Sequence, residues 1–392
     1  MNEITIPLGI YLHWPFCEAR CPYCDFNAYA TTDFDVDEWS RCYGIELDRL
    51  ARETAERTCQ TVFFGGGTPS LMPPELVASV LDRIDRNWGF ANDAEITLEA
   101  NPSSSDAERF AGYAAAGVNR LSIGIQSLRN TDLVRLGRLH STCEARRAVE
   151  TAASHFARLS IDLMFGRQNQ TLVEWRQELT ETIQLGTEHL SLYQLTVESG
   201  TMFGARLAAD RLPGLPDQNL AVDLHAAAME ICGQNGLDRY EISNFARPGA
   251  QCRHNLLYWR GHDYLGIGPG AHGRMTIDGQ RAATETILAP AEWLSAVSER
   301  GTGESRRSWL SPDEQASEYL MMSLRLAEGA DRLRLRQLTS HVPNQEQLDL
   351  LCELGQIEIA NERLVATTGG SLVLNSLISA LLSPPIRQPA TI

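Results

Sequence analysis

Leu8-Gly9-Ile10-Tyr11-Leu12-His13-Trp14-Pro15-Phe16-Cys17-Glu18-Ala19-Arg20-Cys21-Pro22-Tyr23-Cys24 joins a run of strand-forming residues to three closely spaced cysteines. Residues 8–14 read as a strand. Pro15 and Pro22 keep residues 15–24 from continuing into a regular element. The cysteines, spaced C-x3-C-x2-C, therefore lie in a loop at the end of that strand.

Strand and helix patterns alternate downstream. Residues 36–57 carry Trp39, Tyr43, Leu47 and Leu50 along one helical stripe. Residues 61–64 form a short apolar strand ending in Gly65-Gly66-Gly67. Helical patterns cover 73–88, 105–116, a turn around Asp132, 143–155 and 172–185. Strand patterns cover 95–98, 121–125, 159–162 and 190–196. Each apolar run stops at a glycine or a polar residue: Gly65, Glu99, Gln126, Asp162 and Thr196. These recur at intervals of roughly 30 residues, the length of one βα unit. Such alternation predicts an α/β fold with a parallel sheet. In a (β/α) barrel the rim at the strand ends binds ligands.

The pattern loosens after a helix over 217–235. Residues 240–273 are rich in Gly, Asn, His and aromatics, and a segment covering the barrel is expected there. A polar linker over 301–307 precedes a helix over 312–327. A hairpin around Ile357-Glu358-Ile359 and Leu364-Val365 comes next, then a helix over 370–382. The expected division is a partial barrel over 1–240, a covering segment over 241–305, a small helical, winged-helix-like domain over 306–385, and a frayed tail over 386–392.

Bulk composition limits the function. The 392 residues are 43% hydrophobic, ample for a large core, and the net charge is −16. An acidic surface suits a phosphate backbone poorly, so no nucleic-acid partner is expected. Neither a basic, apolar leader nor an apolar window of about 18 residues stands out, so a cytoplasmic protein is expected. Nine cysteines in such a compartment read as thiols or metal ligands, not disulfides. Cys42, Cys59, Cys143, Cys232, Cys252 and Cys352 are scattered and expected to be buried small hydrophobes.

Cys17, Cys21 and Cys24 can converge on one metal centre, and zinc and iron–sulfur are both candidates. A structural zinc needs a fourth protein ligand nearby. Three thiolates suit a [4Fe–4S] cluster with one open iron, which can bind the amino and carboxylate groups of S-adenosylmethionine (SAM). The glycine segment and the polar strand ends favour the cluster.

These landmarks together resemble the radical SAM superfamily and, more narrowly, the oxygen-independent coproporphyrinogen III oxidase group. The resemblance rests on Tyr11 to Cys17, the triple glycine, Leu98-Glu99-Ala100-Asn101-Pro102, Ser122 to Ser127, Arg138-Leu139-His140 and Asp162 to Gly166. It implies a partial (β/α) TIM-like barrel and a cluster on Cys17, Cys21 and Cys24. It implies SAM flanked by Tyr11 and Tyr23, with Gly66, Gly67 and Thr68 passing close to its amine. Glu99 and Asp162 would accept hydrogen bonds from amine or ribose hydroxyls, Gln126 would bond through its amide, and Arg138 would pair with the carboxylate. One departure stands out. Arg167-Gln168-Asn169-Gln170-Thr171 replaces the usual Leu-Pro-Gly-Gln-Thr, which should change that turn.

Within the group, HemW-type heme chaperones and the oxidases differ in three places. The oxidases carry a further cysteine where this chain has Phe26. They also carry an N-terminal extension, whereas the first ligand here is residue 17. His254-Asn255-Leu256-Leu257-Tyr258-Trp259 matches the H-N-x-x-Y-W motif of the HemW type. The resemblance thus implies a chaperone that binds heme and delivers it to respiratory heme proteins, with porphyrinogen oxidase as the alternative. It allows peripheral contact with membrane proteins and a homodimer. His254 could offer an axial imidazole and Tyr258 and Trp259 flat faces, with Cys252 and His272 as alternative ligands.

Overall fold

The computed structural model describes residues 7–54, 56–104, 106–339, 343 and 345–382. The expected tail over 386–392 lies outside them.

Among the described residues, one twelve-stranded sheet organises the chain. At its centre seven strands run parallel, in the order Asp263–Ile267, Leu8–Trp14, Cys59–Gly66, Phe90–Ala100, Arg120–Gln126, Arg158–Phe165 and His189–Gln194. Six of them come in sequence order with helices between, as the alternation requires. The sheet curves into a partial barrel, and one face of each strand packs on the outer helices. Leu8, Ile10, Leu12 and Trp14 point outward into a core with Trp39, Tyr43 and Trp293. Tyr11 and His13, the alternate positions, point inward.

The helix Val36–Glu53 shows why these segments form. Asp35 caps its first turn by accepting from the amides of Asp37 and Glu38, and Trp39, Tyr43, Leu47 and Leu50 bury one stripe. Full capping boxes start the helices Thr142–Ala153 and Leu172–Ile183.

Three expectations change. Residues 241–305 do not simply cover the barrel. Asp263–Ile267 pairs in parallel with the first strand, and His272–Ile277, Gln280–Thr286 and Glu304–Trp309 extend the sheet antiparallel beyond it. The expected polar linker is thus largely a strand. Its alternating polar side chains mask it, because an edge strand buries little apolar surface. Cys42, Cys59, Cys232 and Cys252 are buried as expected, but Cys143 is exposed and Cys352 half-buried.

The departure at Arg167 is resolved by its neighbours. Asn169 takes a left-handed φ of 59°, which asparagine tolerates. Gln170 Oε1 accepts from the amides of Gly166 (2.7 Å) and Arg167 (3.2 Å), closing the turn that proline and glycine would otherwise set.

The C-terminal part has its own core, including Tyr319, Leu320, Leu335, Leu348, Ile357 and Leu377. Its helices surround a three-stranded antiparallel sheet that contains the expected hairpin, Ile357–Ala360 with Arg363–Ala366. Arg260–Glu328 and Arg274–Glu318 ion pairs tie it to the barrel.

Candidate functional site

A cavity of about 430 Å³ opens at the C-terminal rim of the parallel strands. Cys17, Cys21, Cys24 and Tyr23 form one wall. Gly66, Gly67, Thr68, Glu99, Gln126, Arg138 and Asp162 form the rest. Every cluster and SAM residue expected from the sequence is there except Tyr11.

The cysteine loop is held from several sides. Cys24 N donates to Cys21 O (3.1 Å), and Phe203 N donates to Pro22 O (2.8 Å). Gly67 N and Thr68 N donate to Trp14 O (2.7 Å) and Phe16 O (2.8 Å), pinning the glycine turn to this loop. A Cβ on Gly67 would lie 2.5 Å from Phe16 O, and one on Gly66, whose φ is 113°, 2.7 Å from Trp14 O. The glycines therefore serve first to let two backbones meet.

Burial, and the neighbouring Cys24 and Cys21, push the Cys17 thiol up to about 11, and burial also raises Cys24. A metal centre reverses this, because it binds thiolates and displaces their protons. Arg138 supplies positive charge at the same wall. Its Nη1 lies 3.6 Å from Cys21 Sγ and its Nη2 donates to Gly124 O (2.8 Å). It thus leans on the cluster loop as well as facing the cavity. Arg138 Nε and Gln126 Oε1 are buried with no partner among the described residues. Gln126 also has a left-handed φ of 62°, a strain typical of functional positions. Three thiols lining one cavity and two unsatisfied polar atoms fit a cluster with an additional polar ligand.

Opposite the cysteines, Asp162 accepts from Ser122 Oγ (3.0 Å) and Ser160 Oγ (3.3 Å). Burial and the Asp162 charge push the Glu99 carboxyl up from 4.5 to about 8. A carboxyl raised on folding holds its proton in the native state over a wider pH range. It therefore destabilises the fold progressively as pH rises from near 5 to near 8. Glu99→Gln should be more stable than wild type in ligand-free protein. The difference in denaturation midpoint should grow across that window and level off above it. A difference independent of pH would overturn this assignment.

Tyr11 is committed elsewhere. His13 Nε2 lies 2.9 Å from the Asn27 carbonyl, so it carries the proton, and Nδ1 accepts from Tyr11 OH (3.0 Å). This chain fastens the first strand to the end of the cysteine loop. Missed by the sequence reading are Tyr193 and Gln194, which line the cavity from the last parallel strand, together with Met164. The polar pair Tyr193-Gln194 inside an apolar run was the available signal.

The H-N-x-x-Y-W residues lie at the other end of the barrel. They begin the short helix Arg253–Trp259, which closes the floor. His254 is fully buried. One ring nitrogen meets Thr61 Oγ1 at 2.7 Å and the other Tyr258 OH at 2.6 Å, while its ring stacks on Phe63. Burial drives the imidazole down to about 3, so it stays neutral. Its amide donates to Glu95, which also accepts from Cys252 Sγ. Thr61 and Gly66 are separated by about 16 Å of strand. This placement encloses both His254 and Cys252, the axial ligands the sequence suggested, in the floor and apart from the cavity. Both ring nitrogens are already bonded, and Tyr258 packs edge-on against Tyr264 at 4.3 Å. Asn255 and Trp259 are half-buried on the same floor helix, away from the cavity. His254→Phe is expected to cost about 1–3 kcal/mol through two lost hydrogen bonds. The measurement is the chemical-denaturation midpoint, which should fall with unchanged slope.

Comparison with known proteins agrees with this geometry. Residues 11–181 match the radical SAM superfamily. Heme chaperone HemW from Escherichia coli is 38% identical over 96% of this chain and 98% of that protein. The chain belongs to the HemW-type radical SAM family. HemW from Haemophilus influenzae is 37% identical over 96% of the chain and 98% of its own length. Bovine radical S-adenosyl methionine domain-containing protein 1, mitochondrial, is 39% identical over 96% of the chain and 87% of its own length. The solved coproporphyrinogen III oxidase (HemN) from Escherichia coli, a radical SAM enzyme, superposes with a TM-score of 0.80. It covers 96% of this chain and 90% of its own at 21% identity, which shows the shared fold alone. The HemW-type chain has no described helix long and apolar enough to cross a membrane.

Proposed function

We propose that the chain binds heme and delivers it to acceptor proteins, respiratory heme proteins being the first candidates. The observation that carries this reading is the likeness to HemW over nearly the whole of both chains. Phe26 adds to it. It is 58% exposed on the cavity wall, at the position where the oxidases carry a cysteine. The oxidase alternative rests on the fold alone.

In this reading Cys17, Cys21 and Cys24 hold a [4Fe–4S] cluster. SAM lies against Gly66, Gly67 and Thr68, with Glu99 and Asp162 accepting from its amine or ribose, Gln126 bonding through its amide, and Arg138 facing its carboxylate. When bound, the cluster supplies an electron to the sulfonium, breaking a C–S bond. Asp162, pre-oriented by Ser122 and Ser160, keeps the hydrogen-bond geometry fixed. The cysteines described are all free thiols, which fits a reducing compartment such as the cytoplasm.

The test is anaerobic. Cluster-reconstituted protein is given SAM, a reductant and coproporphyrinogen III, and a parallel sample is titrated with heme and mixed with an apo acceptor. Stoichiometric heme binding and transfer without decarboxylated product supports the chaperone. Catalytic decarboxylation would replace it with the oxidase.

A further inference from the structure

With both His254 ring nitrogens bonded within the floor, the other imidazoles are the histidine candidates for a heme ligand. His13, His140 and His189 are also buried, and each has a ring nitrogen bonded within the barrel. His225 is half-buried on the outer helix Gln218–Gln234, and His262 lies beside the floor helix. His155 is exposed, but comes after an outer helix and before the start of a strand, at the floor end. Among the described residues that leaves His272 as the exposed imidazole at the cavity end of the sheet.

His272 begins the strand His272–Ile277, directly after the loop that leaves Asp263–Ile267. That loop is clamped to the cysteine loop. Asn27 Nδ2 donates to Pro269 O (2.9 Å) and to Leu288 O (2.8 Å). Gly268, with φ of 103°, fits where a Cβ would lie 2.4 Å from His13 O. The neighbour Met275 faces the outer core, so alternation turns His272 to the inner face, shared with Tyr11 and His13. Phe26 and Leu288, on either side of Asn27, are 58% and 62% exposed. Two large apolar side chains exposed at one rim, linked through Asn27, are a surface that a flat apolar ligand would cover.

We propose that heme docks at this rim, its face on Phe26 and Leu288 and its iron on His272. The inference rests on the heme-binding reading above and names the site within it. Two further features fit the same occupant. Glu285 lies directly opposite His272 in the antiparallel pair, so its carboxylate is placed to take the imidazole's other N–H, the usual partner of a metal-bound histidine. Arg306, 3.8 Å from Glu285, and Arg20, which donates to the carbonyls of Cys24 and Phe26, bring cations to this rim of a chain whose net charge is −16. They suit the two propionates of heme. The imidazole lone pair displaces a water from ferric iron, and no electron moves.

The experiment titrates full-length, cluster-reconstituted protein with ferric heme, followed by absorbance and electron paramagnetic resonance. Wild type is compared with His272→Ala, Phe26→Ala and, as a control, His155→Ala. His272→Ala should weaken binding about tenfold or more and lose the histidine signature, with added imidazole restoring the spectrum. Phe26→Ala should weaken binding while keeping the spectrum, and His155→Ala should match wild type. Wild-type affinity and spectrum in His272→Ala, or thiolate ligation in both, would overturn the site and leave the chaperone standing. Absence of saturable heme binding by wild type would overturn both.

Discussion

Replacing Cys21 with alanine is expected to reduce cluster iron to background while leaving the fold in place. In the proposed site Cys17, Cys21 and Cys24 are the three cluster ligands, and two thiolates cannot hold a four-iron cluster that also needs an open position. The fold should survive because Cys21 is only half-buried and its sulfur meets only polar partners, Arg138 and the Tyr23 hydroxyl. Its truncation removes little apolar area, and Arg138 keeps its bond to Gly124 O, so the expected cost is about 1 kcal/mol, mostly from the Tyr23 hydroxyl that loses its partner. Iron per chain and the visible charge-transfer absorbance after anaerobic reconstitution are the measurements, with Cys143→Ala as the control. Cys143 is exposed on an outer helix and should change neither. Full iron in Cys21→Ala would mean that another group completes the donor set, and the zinc-like alternative would return.

The largest effect on stability is expected from Glu178→Ala. Glu178 and Arg167 form an ion pair with 0% and 3% of their side chains exposed. The same carboxylate accepts from Ser127 Oγ (2.6 Å) and Leu128 N (2.6 Å), tying the helix Leu172–Ile183 to the turn after the strand Arg120–Gln126. Truncation leaves a guanidinium, a hydroxyl and an amide buried with fewer partners. Asp132, 3.3 Å from Arg167, offsets part of the loss. Removing one member of a buried pair costs about 3–5 kcal/mol. Chemical denaturation should show this as a fall in midpoint with unchanged slope. Glu230→Ala is the comparison. Its pair with Arg176 is exposed on both sides, and the expected cost is below about 1 kcal/mol. Equal losses in the two variants would show that burial is not what makes the Arg167 pair matter.

The same turn shows the limits of reading motifs. Arg167 in place of an apolar residue looked like a change of loop shape. In the structure it is a change of packing: the arginine goes inward to Glu178, eleven residues downstream, and Gln170 supplies the hydrogen bonds that shape the turn. Nothing local marks that partner, because Glu178 sits mid-helix like any charged residue. His254 is the opposite case. Its motif was legible and its type suited an iron ligand, yet the helix it opens closes the barrel floor. Sequence spacing does not reveal which end of a barrel a later segment returns to, since that depends on the parallel pairing of Asp263–Ile267 with the first strand.

By itself the sequence determined the alternation of strands and helices, the parallel barrel, and the rim that gathers Cys17, Cys21, Cys24, Glu99, Gln126, Arg138 and Asp162. These are local signals: an apolar run fixes a strand, and the residue at its end is carried to the rim whatever the rest of the chain does. Tertiary structure alone decided that Tyr11 serves His13, that Arg167 is buried against Glu178, that residues 263–309 extend the sheet, and that His254 and His272 lie at opposite ends of it. Those outcomes depend on which distant groups meet, and an imidazole can face water or be enclosed according to neighbours dozens or hundreds of residues away.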